Sequence, residues 1–94
     1  MERYSVTYRP SVVKTDIPRL GSAASIIKKS IDKKLKINPL VYGVRLRNIL
    51  KGFFKLRVGD WRVIYNVSEN QVVDVMAIGH RSEVYRSLKK RLGL

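Results

Sequence analysis

The chain has 94 residues and no cysteine, so we expect a single domain over residues 1–94, with one hydrophobic core and neither disulfides nor thiolate chemistry. Twenty Lys and Arg against seven Asp and Glu give a formal net charge of +13, which indicates a polyanionic partner: nucleic acid, an anionic membrane surface or an acidic protein. No segment approaches the ~20 apolar residues of a membrane helix, and the chain does not open on a signal-peptide h-region, so we expect a cytoplasmic protein.

The first predicted element is a strand over residues 3–8, where polar and apolar residues alternate and one face carries Tyr4, Val6 and Tyr8. Residues 12–20 are weakly helical but contain Pro18, which costs about 3 kcal/mol inside a regular helix. The sequence leaves two alternatives here. Either a short helix ends at Ile17, or Asp16 caps a new turn with Pro18 in its first turn.

The strongest helix pattern covers residues 23–37, after a predicted N-cap at Ser22. Its apolar side carries Ala24, Ile27, Ile31 and Leu35. Its lysine-rich side indicates a solvated helix face or, as the lesser alternative, a contact with a polyanion. Pro39 ends the helix. Residues 41–51 have few regular features, and we expect three side chains to anchor them to the core: Leu46, Ile49 and Leu50.

A β-hairpin is predicted over residues 53–67, around the two-residue turn Gly59-Asp60, whose glycine-first order suits a type II′ turn. This turn fixes the register, with Val58 opposite Trp61 and Arg57 opposite Arg62. One face is then apolar and should belong to the core: Phe54, Leu56, Val58, Trp61, Val63 and Tyr65. The other face carries Lys55, Arg57, Arg62 and Ile64.

The opposed pair Arg57 and Arg62 is unfavourable by itself, because like charges directly across a strand pair destabilise it by up to ~1 kcal/mol. An anionic ligand on this face would turn the repulsion into attraction. The alternative is the solvated face of a one-sided sheet, where basic residues are ordinary. The hairpin alone favours the two interpretations equally.

A third strand is predicted over residues 72–78, after a turn at residues 68–71. A loop of even length would bury Asp74, so we favour an odd loop, which sends Asp74 outward and puts Val73, Val75 and Ala77 in the core. The same register places His80 on the side of Lys55, Arg57 and Arg62. Ser82 is the predicted N-cap of a final helix over residues 83–92. The predicted fold is a small α+β domain: strand, one or two helices, three-stranded antiparallel meander, C-terminal helix.

Residues able to perform chemistry are few. The sequence has no Cys/His cluster, phosphate loop, dinucleotide fingerprint or nucleophile elbow, so we expect no metal site and no small-molecule cofactor. The remaining candidates are Lys55, Arg57, Arg62, His80, Arg81 and Tyr85. They suit metal-independent RNA cleavage, in which a base activates the ribose 2′-hydroxyl, cations stabilise the phosphate charge and an acid protonates the leaving 5′-oxygen. Three of them also have a structural alternative. His80 could fill space at a strand end, Tyr85 could be a core aromatic, and Arg81 could form an ion pair with Glu83.

Two segments, KLRVGDWRVIY at residues 55–65 and IGHRSEVY at residues 78–85, resemble the signature of RelE-type toxins. These are the toxin halves of bacterial and archaeal toxin–antitoxin pairs in the RelE/ParE superfamily, and the resemblance spans nearly the whole chain. It implies a RelE-like fold and a ribosome-dependent endoribonuclease, an mRNA interferase that inhibits translation by cutting messenger RNA in the ribosomal A site. It also implies a cognate antitoxin that wraps the toxin, and it implies no membrane partner.

The resemblance implies a role for individual positions. It matches the family's phosphate-stabilising and acid–base positions to Lys55, Arg62, Arg81 and Tyr85, and His80 to a proton-transfer role found in related members. RNA binding is expected for Arg57, Arg86, Lys89 and Lys90, although cations near the end of the last helix also complement its dipole. Two rival functions stay open: a ParE-type inhibitor of DNA gyrase, a branch that generally lacks this basic set, and a non-catalytic RNA- or ribosome-binding domain.

Overall fold

A five-stranded mixed sheet organises the computed structural model, which describes residues 3–94. The elements in chain order are β1 (Ser5–Tyr8), two short helical segments (Val12–Asp16 and Ile17–Arg19), α1 (Ala23–Ser30), a wider helical turn (Ile31–Leu35), α2 (Pro39–Tyr42), β2 (Val44–Arg45), a single turn (Asn48–Leu50), β3 (Phe54–Val58), β4 (Trp61–Val67), β5 (Val72–His80) and α3 (Val84–Arg91). The predicted α+β class and the antiparallel meander of β3, β4 and β5 are confirmed.

The order of strands across the sheet is β1-β5-β4-β3-β2, and β1 runs parallel to β5. The sequence predicted β1 but not its partner, because a parallel pairing across more than sixty residues leaves no local pattern. The short β2, which pairs with the start of β3 at the opposite edge, was also missed. The helical alternatives for residues 12–20 both apply in part: one segment ends at Asp16, and Pro18 lies in the first turn of the next.

The predicted hairpin register is confirmed from Val58 opposite Trp61 through to Phe54 opposite Tyr65. Gly59 has φ of +60° while Asp60 is not among the positive-φ residues, which is the pattern of a type II′ turn. The right-handed twist of the strands favours this turn, and glycine adopts its first position without strain. The hairpin is therefore specified locally, and it aligns the side chains of the candidate site.

Two apolar clusters cover the two faces of the sheet. The first lies under α1 and the turn after it, and includes Ile27, Ile31, Leu35 and the apolar hairpin face. The second lies under α3 and contains Leu50, Ile64, Met76, Ala77, Val84 and Leu88. Ile64, expected on the basic face, is fully buried there because α3 packs over it. Ile49 was expected to anchor its segment but is 60% exposed, while Leu46 and Leu50 do pack against the second cluster.

The β5 register agrees with the odd loop as far as Val75 and then departs from the prediction. The Ser68 N–H donates to the Val72 carbonyl, and the Ser68 hydroxyl oxygen accepts from the Val72 N–H. Gln71 has φ of +60°, as in a three-residue hairpin loop. Val73 lies opposite Val67, and Asp74 faces outward to Thr7 and Arg9. Met76, however, has no partner between Ile64 and Tyr65 on β4, which is a β-bulge.

The bulge exchanges the faces of every later residue of β5. Ala77 pairs with Ile64 and lies in the second cluster, and His80 pairs with Trp61 on the first-cluster face. Ala77 is buried as predicted, but its sheet face and that of His80 differ from the prediction, because one extra residue shifts the two-residue alternation by one. Ser82 is not the N-cap: α3 begins at Val84, and the Ser82 hydroxyl is bonded to the His80 ring instead.

Candidate functional site

A basic surface lies on the α3 side of the hairpin. We call it the cationic face and define it by Lys55, Arg57 and Arg62. Arg57 lies directly opposite Arg62, and Lys55 lies opposite the buried Ile64. Since opposed residues in a strand pair share a face, all three side chains project from one side of β3 and β4. The sequence predicted this arrangement through the two-residue turn.

Arg62 and Arg81 are held at the same hairpin turn. The Arg62 Nη1 donates to the carbonyl oxygens of Gly59 and Trp61, each at 2.9 Å. The backbone N–H of Arg81 donates to the Asp60 carbonyl at 2.8 Å, and its Nε lies 3.8 Å from an Asp60 carboxylate oxygen. These contacts hold the guanidinium of Arg62 and the backbone of Arg81 at the turn, and they leave the Nε and Nη2 donors of Arg62 available to a ligand. Sequence reasoning missed Asp60 as the anchor of Arg81, and its only signal was an acid between two basic strands.

Tyr85 lies on the flank of α3 that faces the hairpin. It is half-buried and packs against the second cluster with Leu46 and Phe53, residues that adjoin β3. With 3.6 residues per turn, Ser87 lies on the opposite flank of the buried Val84 stripe, where it lines a small pocket beside Asp16. The start of α3 packs closely on the end of β5, because a Cβ built on Gly79 would lie 3.4 Å from the Val84 Cβ, which is van der Waals contact. The predicted tyrosine and the cationic face thus lie on the same side of the sheet.

The remaining basic candidates on α3 divide by helix geometry. Lys89 follows Tyr85 by one turn and shares its flank, whereas Arg86 and Lys90 lie on the outer side of the helix. All three are exposed. The structure therefore brings Lys89 toward the cationic face and leaves Arg86 and Lys90 pointing to solvent.

His80 lies on the other face of the sheet. Its ring meets Trp61 edge-on, with 5.8 Å between centroids. The backbone N–H of Ser82 donates to Nδ1 at 3.2 Å, so in the neutral ring the proton is on Nε2; the Ser82 hydroxyl lies 2.8 Å from the same nitrogen. The structure does not bring this histidine together with Lys55, Arg57 and Arg62.

The charges around the cationic face are unbalanced. Among residues 3–94, the acids with ion-pair partners are Asp16, Asp32, Asp60 and Asp74, and none of them pairs with Lys55, Arg57 or Arg62. Burial raises the pKa of Tyr65 and of Tyr8, so these two phenols stay protonated and take no part in proton transfer near neutral pH. Within the same range, no group of three or more His, Cys, Asp or Glu side chains is arranged to hold a metal ion. No helix of residues 3–94 is long and apolar enough to span a membrane.

The chain is similar to known toxins in sequence and in structure. The family model of the ParE toxin of type II toxin–antitoxin systems matches residues 11–85. Toxin RelG of Mycobacterium tuberculosis is 36% identical over 53 residues, which cover 55% of this chain and 61% of RelG, so the chain spans less than two thirds of that relative. A chain of the toxin–antitoxin complex RelBE2 from M. tuberculosis is 25% identical with a TM-score of 0.76, covering 83% of this chain and 98% of its own.

The isolated RelE toxin of E. coli is also similar, with 26% identity and a TM-score of 0.67 over 96% of this chain and 99% of RelE. The match to RelE covers 96% of this chain and thus nearly all of its mixed sheet and helices. The matching family model covers most of the residues that build this arrangement. The chain is a member of the ParE toxin family of type II toxin–antitoxin systems, within the RelE/ParE superfamily.

Proposed function

We propose that this toxin is an endoribonuclease that acts in the cytoplasm and cuts messenger RNA on the ribosome without a metal ion. The observation that carries the proposal is the anchoring of Arg62 and Arg81 at one hairpin turn, beside a face whose Lys55 and Arg57 have no acidic partner among residues 3–94. A surface of fixed cations without counter-ions suits a phosphate that gains charge in its transition state.

The proposed reaction is attack of a ribose 2′-hydroxyl on its own neighbouring phosphate, which forms a 2′,3′-cyclic phosphate and releases the 5′-oxygen. The free Nε and Nη2 donors of Arg62 and the guanidinium of Arg81 bind the phosphate oxygens, with Arg57 as a further contact. We assign the two proton transfers to Lys55 and Tyr85, because the family resemblance matches both to acid–base positions and both lie on this side of the sheet. His80 lies outside the set, because it pairs with Trp61 on the opposite sheet face.

Site-directed variants on programmed ribosomes test the proposal. Arg62→Ala and Arg81→Ala should each lower cleavage of the transcript by about 10²-fold or more, since positioned charges at a reacting phosphate have effects of that size. Cleavage is read by primer extension, and ribosome binding by co-sedimentation. Arg19→Ala is the control, because Arg19 is exposed and lines a separate pocket with Asp16 and His80. Full cleavage by both variants would refute the proposal. Variants that cleave less only because they bind the ribosome less would favour the non-catalytic alternative.

Inhibition of DNA gyrase is the second candidate function, and the matching family model, which describes ParE toxins, is the observation that favours it. A supercoiling assay with purified gyrase separates the two. Inhibition of gyrase by the wild-type chain and equally by Arg62→Ala, with intact transcripts on ribosomes, would establish the gyrase function in place of the nuclease.

The cognate antitoxin is the proposed protein partner, in keeping with structural relatives that were solved as toxin–antitoxin complexes. We expect an acidic segment of the antitoxin to cover the cationic face or displace α3, because the +13 charge is otherwise unneutralised. The test is to co-express the toxin with the neighbouring open reading frame and to purify the toxin by an affinity tag, which should co-purify the antitoxin. Normal yields of the toxin from growing cells without any partner would contradict it.

A further inference from the structure

A second basic surface lies on the opposite face of the hairpin, between α1 and the hairpin turn. It is a groove of about 690 Å³, and its walls include Ile26, Lys29, Lys33, Val58 and Trp61. None of the residues assigned above to phosphate binding or proton transfer lines it. We call it the α1 groove.

Four of the five lysines at residues 28–36 form two stripes with different surroundings, and the fifth, Lys34, also lines the groove with its Nζ 5.9 Å from the centroid of the Tyr42 ring. On one stripe Lys28 and Lys36 lie 3.2 Å and 3.1 Å from the carboxylate of Asp32, so both have an acidic partner, which they share. On the other stripe Lys29 and Lys33 are exposed, and their side chains have no ion-pair or hydrogen-bond partner among residues 3–94. The stripe without an acidic partner is the one that lines the groove.

Trp61 supplies an aromatic wall at the hairpin end of the groove. Its ring lies at 82° to the His80 ring, and the residue remains partly exposed. Ile26, one turn before Lys29 on the same side of the helix, is 59% exposed. A partly exposed tryptophan beside unpaired lysines is the combination that single-stranded nucleic acid uses, with bases on the ring and phosphates on the cations.

We infer that the α1 groove is a second RNA-binding surface, which takes the sugar–phosphate backbone of an RNA segment separate from the one bound at the cationic face. The inference rests on the proposed function only for the choice of RNA as the polyanion. RNA is favoured over an acidic protein because the unpaired charges are two lysines on flexible stems, which suit phosphates at varied distances. The single acid that lines the groove is Asp60, and the Nε of Arg81 lies 3.8 Å from its carboxylate.

The test uses the full chain and a 20-nucleotide oligouridylate without ribosomes. Trp61 is the only tryptophan of the chain, so its fluorescence reports on the groove. The oligonucleotide should quench this emission in a salt-dependent manner. The double variant K29Q/K33Q should reduce the log–log salt slope of the Trp61-detected affinity by about 1.4, because each lost phosphate contact on single-stranded RNA removes about 0.7. Ile26→Glu places a negative charge in the same groove and should weaken binding in the same assay.

The matched control is K14Q/K28Q, which removes the same two charges from exposed lysines outside the groove. Its reduction of the salt slope relative to the wild type should be less than half of the reduction caused by K29Q/K33Q. Equal slopes for the two double variants, or oligouridylate binding without a change in Trp61 emission, would overturn the inference. Stronger quenching by a 20-residue polyglutamate than by the RNA would also overturn it, in favour of an acidic protein.

The two proposals fail separately. The groove assay contains no ribosomes and no cleavage readout, so a cleaving Arg62→Ala variant would remove the nuclease proposal and leave the Trp61 result unaffected. Conversely, K29Q/K33Q with wild-type RNA affinity would remove the groove proposal while transcript cleavage remains a property of the cationic face.

Discussion

Asp16 and Arg91, 75 residues apart, form a bidentate ion pair in which the carboxylate is almost fully buried. The two Nη atoms of Arg91 donate to the two carboxylate oxygens at 2.7 Å and 2.5 Å. The same carboxylate accepts the backbone N–H of Ile78 at 2.9 Å, and Arg91 also reaches the Met76 carbonyl at 3.3 Å. The pair therefore joins the helical segment after β1, the edge of β5 and the end of α3.

We predict that Arg91→Ala lowers the free energy of unfolding by about 3 kcal/mol, because it leaves the Asp16 carboxylate buried with only one hydrogen bond. Asp16→Asn should have a smaller effect, since the amide oxygen still accepts from Ile78. Urea denaturation followed by far-UV circular dichroism measures both. The control is Arg9→Ala, which removes a partly exposed ion pair with Asp74 and should cost no more than about 1 kcal/mol, because the guanidinium is half-exposed and Asp74 keeps its hydrogen bond from Thr7. Equal losses for Arg91→Ala and Arg9→Ala would refute the prediction.

Gly43 is expected to tolerate no side chain, because a Cβ there would lie 1.8 Å from the Tyr65 hydroxyl oxygen. That hydroxyl donates to the Pro39 carbonyl at 2.6 Å and is buried. Gly43→Ala should therefore destabilise the protein by about 2 kcal/mol or more, through displacement of β2 or of the tyrosine.

A double-mutant cycle identifies the cause. Tyr65→Phe removes the colliding oxygen and by itself should cost about 1 kcal/mol for the lost hydrogen bond. If the collision is the reason for the loss, Gly43→Ala should cost less in the Tyr65→Phe background than in the wild type. Additive effects of the two substitutions would show that the strain at Gly43 has another origin.

Arg57→Gln should separate stability from RNA binding. Removal of the charge that faces Arg62 should raise the free energy of unfolding by a few tenths of a kcal/mol up to ~1, because like charges across a strand pair repel. The same substitution should weaken RNA binding and lower the salt slope by about 0.7. Thermal denaturation at low ionic strength and an oligonucleotide titration provide the two readouts. A variant that loses both stability and affinity would show that Arg57 has a structural role.

Acid should remove a small stabilising contribution at Asp32. Burial raises the pKa of Asp32, but the hydrogen bonds from Lys36 and Lys28, together with their charges, outweigh burial and hold the pKa below its usual value. A lowered pKa in the folded state means that the contribution is fully present above the usual aspartate pKa of about 3.9 and is lost as the pH falls below it.

The size of this contribution should stay under about 1 kcal/mol, since the carboxylate is 38% exposed and screened by solvent. Unfolding by urea at pH 7 and near pH 3 should therefore show a slightly smaller acid loss for Asp32→Asn than for the wild type. Identical pH dependence of the two proteins would mean that the ion pairs of this stripe are without energetic effect in the folded state.

Sequence reasoning predicted the hairpin and its cationic face in full, because a two-residue turn with glycine first fixes the register of every residue from Phe54 to Tyr65. It also predicted the outward direction of Asp74, since an unpaired buried carboxylate is costly. These features depend on neighbours within a few residues along the chain. The position of Tyr85 beside the hairpin follows from the buried helix stripe that includes Leu88, which the apolar spacing of α3 indicates.

The features that the sequence did not predict depend on distant partners. The bulge at Met76, which moves His80 to the other face, has no local signal such as a glycine. The pairing of β1 with β5 and the contact of Asp16 with Arg91 join segments more than sixty residues apart, so no spacing rule connects them. Serine is a favoured N-cap residue, but the Ser82 hydroxyl is hydrogen-bonded to the His80 ring instead.

The ion pair of Asp16 and Arg91 also has a consequence for solubility. Beyond Tyr8 the first strand no longer covers β5, and an uncovered row of backbone N–H and C=O groups invites another chain to add as a strand. Here the Asp16 carboxylate accepts from the N–H of Ile78 and the Arg91 guanidinium donates to the carbonyl of Met76, so these two side chains satisfy backbone groups that a neighbouring strand would otherwise bond. Replacement of Arg91 should therefore promote self-association of the toxin as well as unfolding, because it leaves the Met76 carbonyl available to a strand of another chain.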